Sequence, residues 1–443
     1  MIATEHQTTH GHISTTHVIG MLLLVLLSGC QNHHGQDDGS DLAFVQLQNA
    51  MVAKEFGWIK NNLRIDNIKD SQRFEAQLLI AEAWLAGDDA NAEKALQYLY
   101  AAEQLAPSDQ RTKRLIIRVL NHTGDWQTLE QRLSDETIAP LHKVPIYLNI
   151  DPEKVPQLLS EVPEEEQHMR YHELKAQHLF DVNDLAGSMR HIETASKLGS
   201  LNVITYHMGY QLQLRLGNQE NAASLMEIHS RLSSLRSLQV SVRDQLNIVR
   251  ELLALNPSFS NNDAFNLLHI RLLLTTHQYT TASEKLLKMD VKSLDDDIGH
   301  ELLNVLVQHA QFKLADEVLQ LRSSMGFDER SGHLVCLIKS QLLEPAPAIK
   351  FCQQNIKQFP WYAATHQQIA ELLILLDQLE AAKEHLLTAI SHAPWNDEWR
   401  LMLARVLLSE GHMAEARDIL DQALNPEVPM IVQFKKANGL LSL

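Results

Sequence analysis

Histidine pairs are the residues in this sequence whose type and spacing come nearest to a chemical site. His168 and His172 are four residues apart, so on a helix they would share one face, close to the acidic run Glu164–Glu166. A zinc site needs a third ligand at fixed geometry, and the sequence has no HExxH motif and no Cys/His framework to supply one. We therefore interpret His168 and His172 as exposed side chains on a solvated face.

Catalytic motifs are absent as well. The 443 residues contain no GxSxG motif, no glycine-rich phosphate loop and no Cys/His pair with a family signature. The acidic run from Asp295 to Asp297 fits a helix amino terminus, where carboxylates accept hydrogen bonds from free amides and meet the helix dipole. The sequence therefore predicts no enzyme activity, no metal site and no cofactor.

The net charge excludes one class of partner. Lys and Arg number 38 against 55 Asp and Glu, which gives a formal charge of −17. Nucleic-acid binders need clustered Lys and Arg to contact phosphates, so the composition argues against them. It suits a scaffold that binds proteins.

The chain begins with a segment that resembles the signal peptide of bacterial lipoproteins. The apolar run from Val18 to Leu27 is too short to span a membrane and ends in Leu-Ser-Gly before Cys30, which resembles a lipobox. The resemblance implies cleavage before Cys30, lipidation of its thiol and a palmitate-type acyl anchor. Gln31 in the next position implies the outer membrane, facing the periplasm. Residues 1–17 depart from the pattern because they contain no Lys or Arg; a chance apolar segment is the alternative.

A repeat of 33 to 34 residues organises the rest of the chain. Five alanines are spaced by 33, 33, 34 and 34 residues, and Pro360 and Pro394 are also 34 apart. The alanines are Ala282, Ala315, Ala348, Ala382 and Ala416. Helices that alternate alanine and leucine can approach closely, and a single hairpin cannot bury its apolar face alone. The period therefore predicts hairpins that stack on one another.

The pattern of alanine, leucine, alanine and terminal proline resembles the tetratricopeptide repeat. It is clearest in residues 76–109, 363–396 and 397–430. The resemblance implies an all-α fold, a right-handed superhelical solenoid of antiparallel helix pairs. The predicted organisation is a signal peptide (1–29), a lipid-attached tether (30–40), an amino-terminal lobe (41–133), a Pro-rich irregular connection or short helices (134–165), and a carboxy-terminal array with a capping helix (166–443).

In tetratricopeptide arrays the first helix of each unit lines a concave groove, and the resemblance identifies candidate groove residues here. In the amino-terminal lobe they are Ile80, Trp84, Arg111, Arg114 and Arg118. The three arginines share one helix face, where they are either solvated or clamp carboxylates of an acidic peptide. The carboxy-terminal candidates are Arg271, His300, Asn304, Arg330, His333, Gln367, Glu371 and Arg405.

Two further cysteines fall inside one predicted hairpin. Cys336 lies on its first helix and Cys352 on its second, both directed to the interior. An exported protein would permit a disulfide between them, provided that they lie at matched height. Two buried free thiols are the other interpretation.

Together these features predict a non-enzymatic scaffold that binds a protein or peptide partner in a helical groove and is held to the membrane by a lipid anchor. It would support assembly of an envelope complex such as pilus, secretion or cell-wall machinery. The alternatives are a periplasmic assembly factor that handles a cofactor or metal, and a cytoplasmic adaptor if the lipobox is accidental.

Overall fold

The computed structural model describes residues 42–87, 89–133, 139–237, 239–322 and 328–440. These residues form 24 α-helices with short 3-10 turns, and no strand occurs among them. The predicted all-α fold of antiparallel helix pairs is confirmed. Two compact units divide the described chain: unit 1 combines residues 42–123 with 328–440, and unit 2 comprises 124–322.

The helices are numbered in chain order. The amino-terminal part of unit 1 contains α1 (Leu42–Ala53), α2 (Phe56–Asn62), α3 (Arg73–Leu85), α4 (Ala92–Leu105) and α5 (Gln110–Thr123). Unit 2 contains α6 (Trp126–Leu133), α7 (Pro140–Ile150), α8 (Val155–Ser160), α9 (Met169–Asp181), α10 (Leu185–Lys197), α11 (Val203–Arg215), α12 (Gln219–Leu235), α13 (Val242–Leu255), α14 (Asp263–Thr275), α15 (Tyr279–Leu287), α16 (Asp296–Gln308) and α17 (Phe312–Leu321). The carboxy-terminal part of unit 1 contains α18 (Glu329–Leu342), α19 (Pro345–Gln358), α20 (Ala363–Leu375), α21 (Leu379–His392), α22 (Asp397–Ser409), α23 (Met413–Asp421) and α24 (Pro429–Ala437).

The spacing of the alanines is explained by their place in the hairpins. Each of the five is the fourth residue of the second helix of its hairpin and is fully buried; these residues are Ala282, Ala315, Ala348, Ala382 and Ala416. A larger side chain at this position would collide with the facing helix, because helix interiors are close-packed. The period of the sequence therefore reports the closest approach of paired helices.

The turns of the hairpins repeat a second feature. The residue that closes the turn has a positive φ in six hairpins: Asn183, Gly217, His277, Ala310, Asp377 and Gly411. A left-handed residue there lets the next backbone amide bond back to the first helix, as Gln378 N–H donates to the Leu373 carbonyl at 2.9 Å. An alanine such as Ala310 pays about 1 kcal/mol for this conformation, whereas a glycine does not.

Unit 1 joins the two ends of the described chain. The Gln46 side chain of α1 donates to the Ser391 carbonyl at 2.9 Å, and Trp58 of α2 lies 4.8 Å from Trp395 between ring centroids. The sequence predicts residues 41–133 as a separate lobe, whereas residues up to Thr123 here form one unit with the carboxy-terminal hairpins. The physical reason is that α1 packs on α21.

The Pro-rich stretch 134–165 contains short helices in its described part. Proline occupies the first turn of α7 and of α8, where its missing N–H costs no hydrogen bond. Pro145 lies inside α7. Among the described residues no helix is long and apolar enough to cross a membrane.

Candidate functional site

A cleft of about 500 Å³ opens between the first helices of the last two hairpins of unit 1. Its wall is mostly apolar, with side chains from α20, the start of α21 and α22. The apolar residues are Ile374, Leu375, Leu379, Met402 and Val406. Leu375 is 72% exposed, which is unusual for a leucine beside a core and leaves a large apolar surface available to a partner.

Two charged groups flank the apolar wall of the cleft. Glu371 and Arg405 are 34 residues apart and therefore occupy the same position in successive hairpins. Burial raises the pKa of the Glu371 carboxyl, while hydrogen bonds from Gln367 and Gln368 oppose that rise. The exposed Arg405 guanidinium lies over the Phe434 ring at 5.8 Å, and no described carboxylate pairs with it. The cleft thus offers an apolar floor and a cationic edge.

The predicted arginine stripe has a different environment. Arg111 forms two hydrogen bonds with the Glu75 carboxylate, at 2.8 and 3.3 Å, and lies 3.6 Å from Asp109. This bidentate pair links α5 to α3. Arg111 is therefore engaged within the fold, whereas Arg114 is exposed and donates from Nε to the Gln110 carbonyl at 3.1 Å.

Arg118 also faces a glutamate of α3. Glu82 is buried, and burial, reinforced by Glu75, raises the pKa of its carboxyl to about 7; Arg111 and Arg118 act in the opposite direction. Desolvation lowers the pKa of Arg118, while Glu82 opposes that change. The stripe is thus electrostatically coupled to the preceding helix.

Sequence reasoning missed Glu75 and Glu82, although a signal was present. Each glutamate precedes an arginine of the stripe by 36 residues, close to the repeat length, and both pairs are spaced by seven along their own helix. Two matched spacings on successive helices indicate facing side chains.

The two apolar candidates of the amino-terminal groove are largely covered. Ile80 is 3% exposed and packs in the core of unit 1 with Leu47, so its assignment to a partner-binding surface is corrected. Trp84 is half-buried, and the Lys94 and Lys60 ammonium groups lie over its ring at 4.0 and 5.3 Å. These contacts leave the indole little free surface.

The cysteines have separate outcomes. Cys336 and Cys352 are fully buried and form a disulfide between α18 and α19, with Cα atoms 4.5 Å apart. Of the two interpretations of this pair, the structure has the bridge. Cys30 and the rest of the predicted signal peptide and tether lie outside the described residues.

The interpretation of His168 and His172 is wrong for one of them. His168 is exposed and precedes α9, but His172 points into the hairpin, where its Nδ1 lies 2.8 Å from the Nδ1 of His191. Burial, followed by neighbouring cations, lowers the pKa of both rings, that of His191 to about 4. Among the described residues, no group of three or more His, Cys, Asp or Glu side chains could hold a metal ion.

Comparisons with known proteins agree with the repeat. Residues 377–428 match the family model described as tetratricopeptide repeat, which covers α21 to α23 and part of the cleft. The chain is similar to the crystal structure of yeast Tom70 (12% identity, 89% of this chain and 92% of that chain covered, TM-score 0.37). It is also similar to the APC/C hetero-tetramer Cut9-Hcn1 (14%, 90% and 84%, TM-score 0.32) and to the P58(IPK) TPR domain (16%, 76% and 99%, TM-score 0.24). No curated protein matches the chain.

Proposed function

We propose that this protein is a non-enzymatic scaffold that binds a peptide or protein segment in the cleft between α20 and α22. The observation that carries the proposal is the exposed apolar surface of Leu375 within a cleft of about 500 Å³. A cleft of this size accepts one or two apolar side chains. The tetratricopeptide match of residues 377–428 supports the same site, since it includes much of the cleft wall.

The chemistry of the cleft defines the segment that it would bind. Insertion of a leucine-sized side chain against Leu375 and Met402 removes apolar surface from water and contributes about 1.5–3 kcal/mol. Arg405, which lacks a described carboxylate partner, would receive an acidic group next to that anchor. The expected ligand is therefore an apolar residue followed or preceded by Asp, Glu or a terminal carboxylate.

A peptide display library, panned on the full chain, tests this proposal. We expect the selected peptides to share an apolar anchor beside an acidic residue, and Leu375→Glu to weaken their binding at least about tenfold. Leu287→Glu is the matched control, because Leu287 is 74% exposed but lies on α15, outside the cleft. Equal binding by both variants would reject the cleft as the site.

The location of the scaffold is a further part of the proposal. The lipobox-like Leu-Ser-Gly-Cys30 sequence supports an outer-membrane lipoprotein with its repeats in the periplasm, where it would serve assembly of an envelope complex. Cells fed labelled palmitate should then label the wild-type chain and leave Cys30→Ala unlabelled and unprocessed. Labelling of both chains, or of neither, would remove the anchor from the proposal and leave the cleft unaffected.

A further inference from the structure

Three histidines meet inside the hairpin formed by α20 and α21. His366 is 8% exposed, and its Nδ1 lies 3.0 Å from the Nδ1 of His385. The His392 ring stands edge-on to His366, with centroids 6.1 Å apart. We refer to His366, His385 and His392 as the histidine cluster.

The hydrogen bonds of His366 fix which protons the pair can carry. His366 Nε2 is 2.8 Å from the Pro360 carbonyl, which can only accept, so Nε2 carries the hydrogen. In the neutral ring Nδ1 is then the acceptor, and His385 Nδ1–H donates to it. A proton added to His366 would place two N–H groups face to face and convert this hydrogen bond into a repulsion.

The same loop that receives His366 also holds α1. The Asn49 side chain of α1 donates to the Trp361 carbonyl at 2.9 Å and accepts from the Ala363 N–H at 3.0 Å. A second hold on α1 is the Gln46 bond to the Ser391 carbonyl, one residue before His392. The polar contacts of α1 therefore end on the residues that surround the histidine cluster.

No anion compensates for charge on the cluster. Residues 42–53 of α1 contain no titratable side chain. Burial, and for His385 and His392 the charge of His366, lowers the pKa of the three rings, while the carbonyls of Pro360 and Trp361 partly oppose this for His366 and His392. A fourth buried ring, His333, is 3.2 Å from the hydroxyl of Thr365 next to His366, and burial lowers its pKa to about 4.

Charged groups on the surrounding helices are engaged elsewhere. Arg400 pairs with Asp397 at 3.2 Å, and Lys383 pairs with Glu380 and Glu410. None of the charged side chains on these helices contributes to the pKa shifts of the cluster. The remaining charged groups on α18 to α22 are Glu329, Arg330, Lys339, Lys350, Lys357, Glu371, Glu384, Glu398 and Arg405.

We propose that the histidine cluster is a pH-sensitive latch that holds α1 on the carboxy-terminal hairpins at neutral pH and releases it on acidification. Protonation forces His366 and His385 apart, and the Pro360–Ala363 loop moves with them. Asn49 then loses its two backbone partners together. Release of α1 lets water reach the rings and stabilise their charge.

The direction of the pH effect follows from linkage. A histidine with a lowered pKa in the latched state takes up protons on release wherever the pH is below about 6.5, its value in water. The latch is therefore complete above that pH and weakens as the pH falls through 6.5. The opening constant of α1 should rise about tenfold per pH unit for each proton taken up.

Hydrogen–deuterium exchange of the full chain tests the latch. Protection factors of residues 42–53, corrected for the intrinsic pH dependence of exchange, should fall at least about tenfold between pH 7.5 and pH 5.5. The double variant His385→Gln with His392→Gln should lose most of this fall. His412→Gln is the matched control, because His412 is exposed on the next hairpin and pairs only with Glu415. It should behave as the wild type.

A second variant keeps the test decisive if the double variant folds poorly. Asn49→Ala removes both loop bonds of α1 without touching a titratable group, so it should lower the protection of residues 42–53 at pH 7.5 to the wild-type level at pH 5.5. The proposal is overturned if protection is independent of pH in the wild type. It is also overturned if the double variant keeps the full pH dependence.

Discussion

The hairpins α9–α10 in unit 2 and α20–α21 in unit 1 hold the same pair of histidines. In each, one histidine is the fourth residue of the first helix and the other the seventh of the second, 19 residues apart. The Nδ1 atoms are 2.8 Å apart in α9–α10 and 3.0 Å apart in α20–α21. The surroundings differ, since Tyr171 and Lys175 border the first pair, whereas a third histidine and the α1-binding loop border the second.

The difference teaches that a histidine pair is first of all a way to pack a hairpin. In α9–α10 the pair fills the space between the helices, and the nearby Lys175 ammonium keeps the rings neutral. In α20–α21 the same pair is joined to a loop that holds another helix. The chemistry of the pair is shared, and its consequence depends on what the neighbouring backbone carries.

The largest expected effect concerns the disulfide that braces the hairpin next to α20. Unit 2 contains no cysteine, so only unit 1 should respond to Cys336→Ala with Cys352→Ala. We expect a loss of about 3 kcal/mol in unfolding free energy, the scale for a closed loop of this length. Exchange protection should fall in α18 to α21 and stay unchanged in α9–α10. Equal loss in both hairpins would show that they unfold together.

An intermediate effect is expected from filling the close approach in each hairpin. Ala382 and Ser188 are equivalent and fully buried, so Ala382→Leu and Ser188→Leu should each cost about 1–3 kcal/mol in urea unfolding. Ser188→Ala should cost less than about 1 kcal/mol, because it removes only the 2.8 Å bond to the Ala176 carbonyl, which keeps its helical partner. The exposed Glu384→Gln serves as the unaffected control. A tolerated leucine at either position would contradict the packing.

The smallest expected effect is the acid response of the α9–α10 pair. The pKa of His191 is lowered to about 4, so the folded state binds fewer protons than the unfolded state below pH 6.5. Stability should therefore fall from pH 6.5 toward pH 4, by about 1 kcal/mol after allowance for solvent screening. His191→Gln should remove this fall in urea unfolding, without changing the exchange of residues 42–53. A change in α1 exchange would break the distinction between the two hairpins.

The sequence predicts what repeats and misses what occurs once. The five buried alanines and the all-α hairpins are confirmed because interhelical packing recurs every 33 or 34 residues. The seat of α1 on α21 depends on single side chains such as Asn49, whose partners lie more than 300 residues away, and such contacts leave no periodic trace. The groove assignment of Ile80 fails because one helix face can meet another helix instead of solvent.

The contact between Gln46 and Ser391 also constrains how the protein is made. These residues are separated by 345 positions, so α1 leaves the ribosome long before its seat exists. At ordinary elongation rates the delay is on the order of tens of seconds. During this time the uncharged face of α1 that finally lies against α21 is uncovered, whereas unit 2 is continuous and can complete itself first. The newborn chain therefore has its period of greatest aggregation risk at its amino terminus, and that risk ends only when residues 391–395 are synthesised.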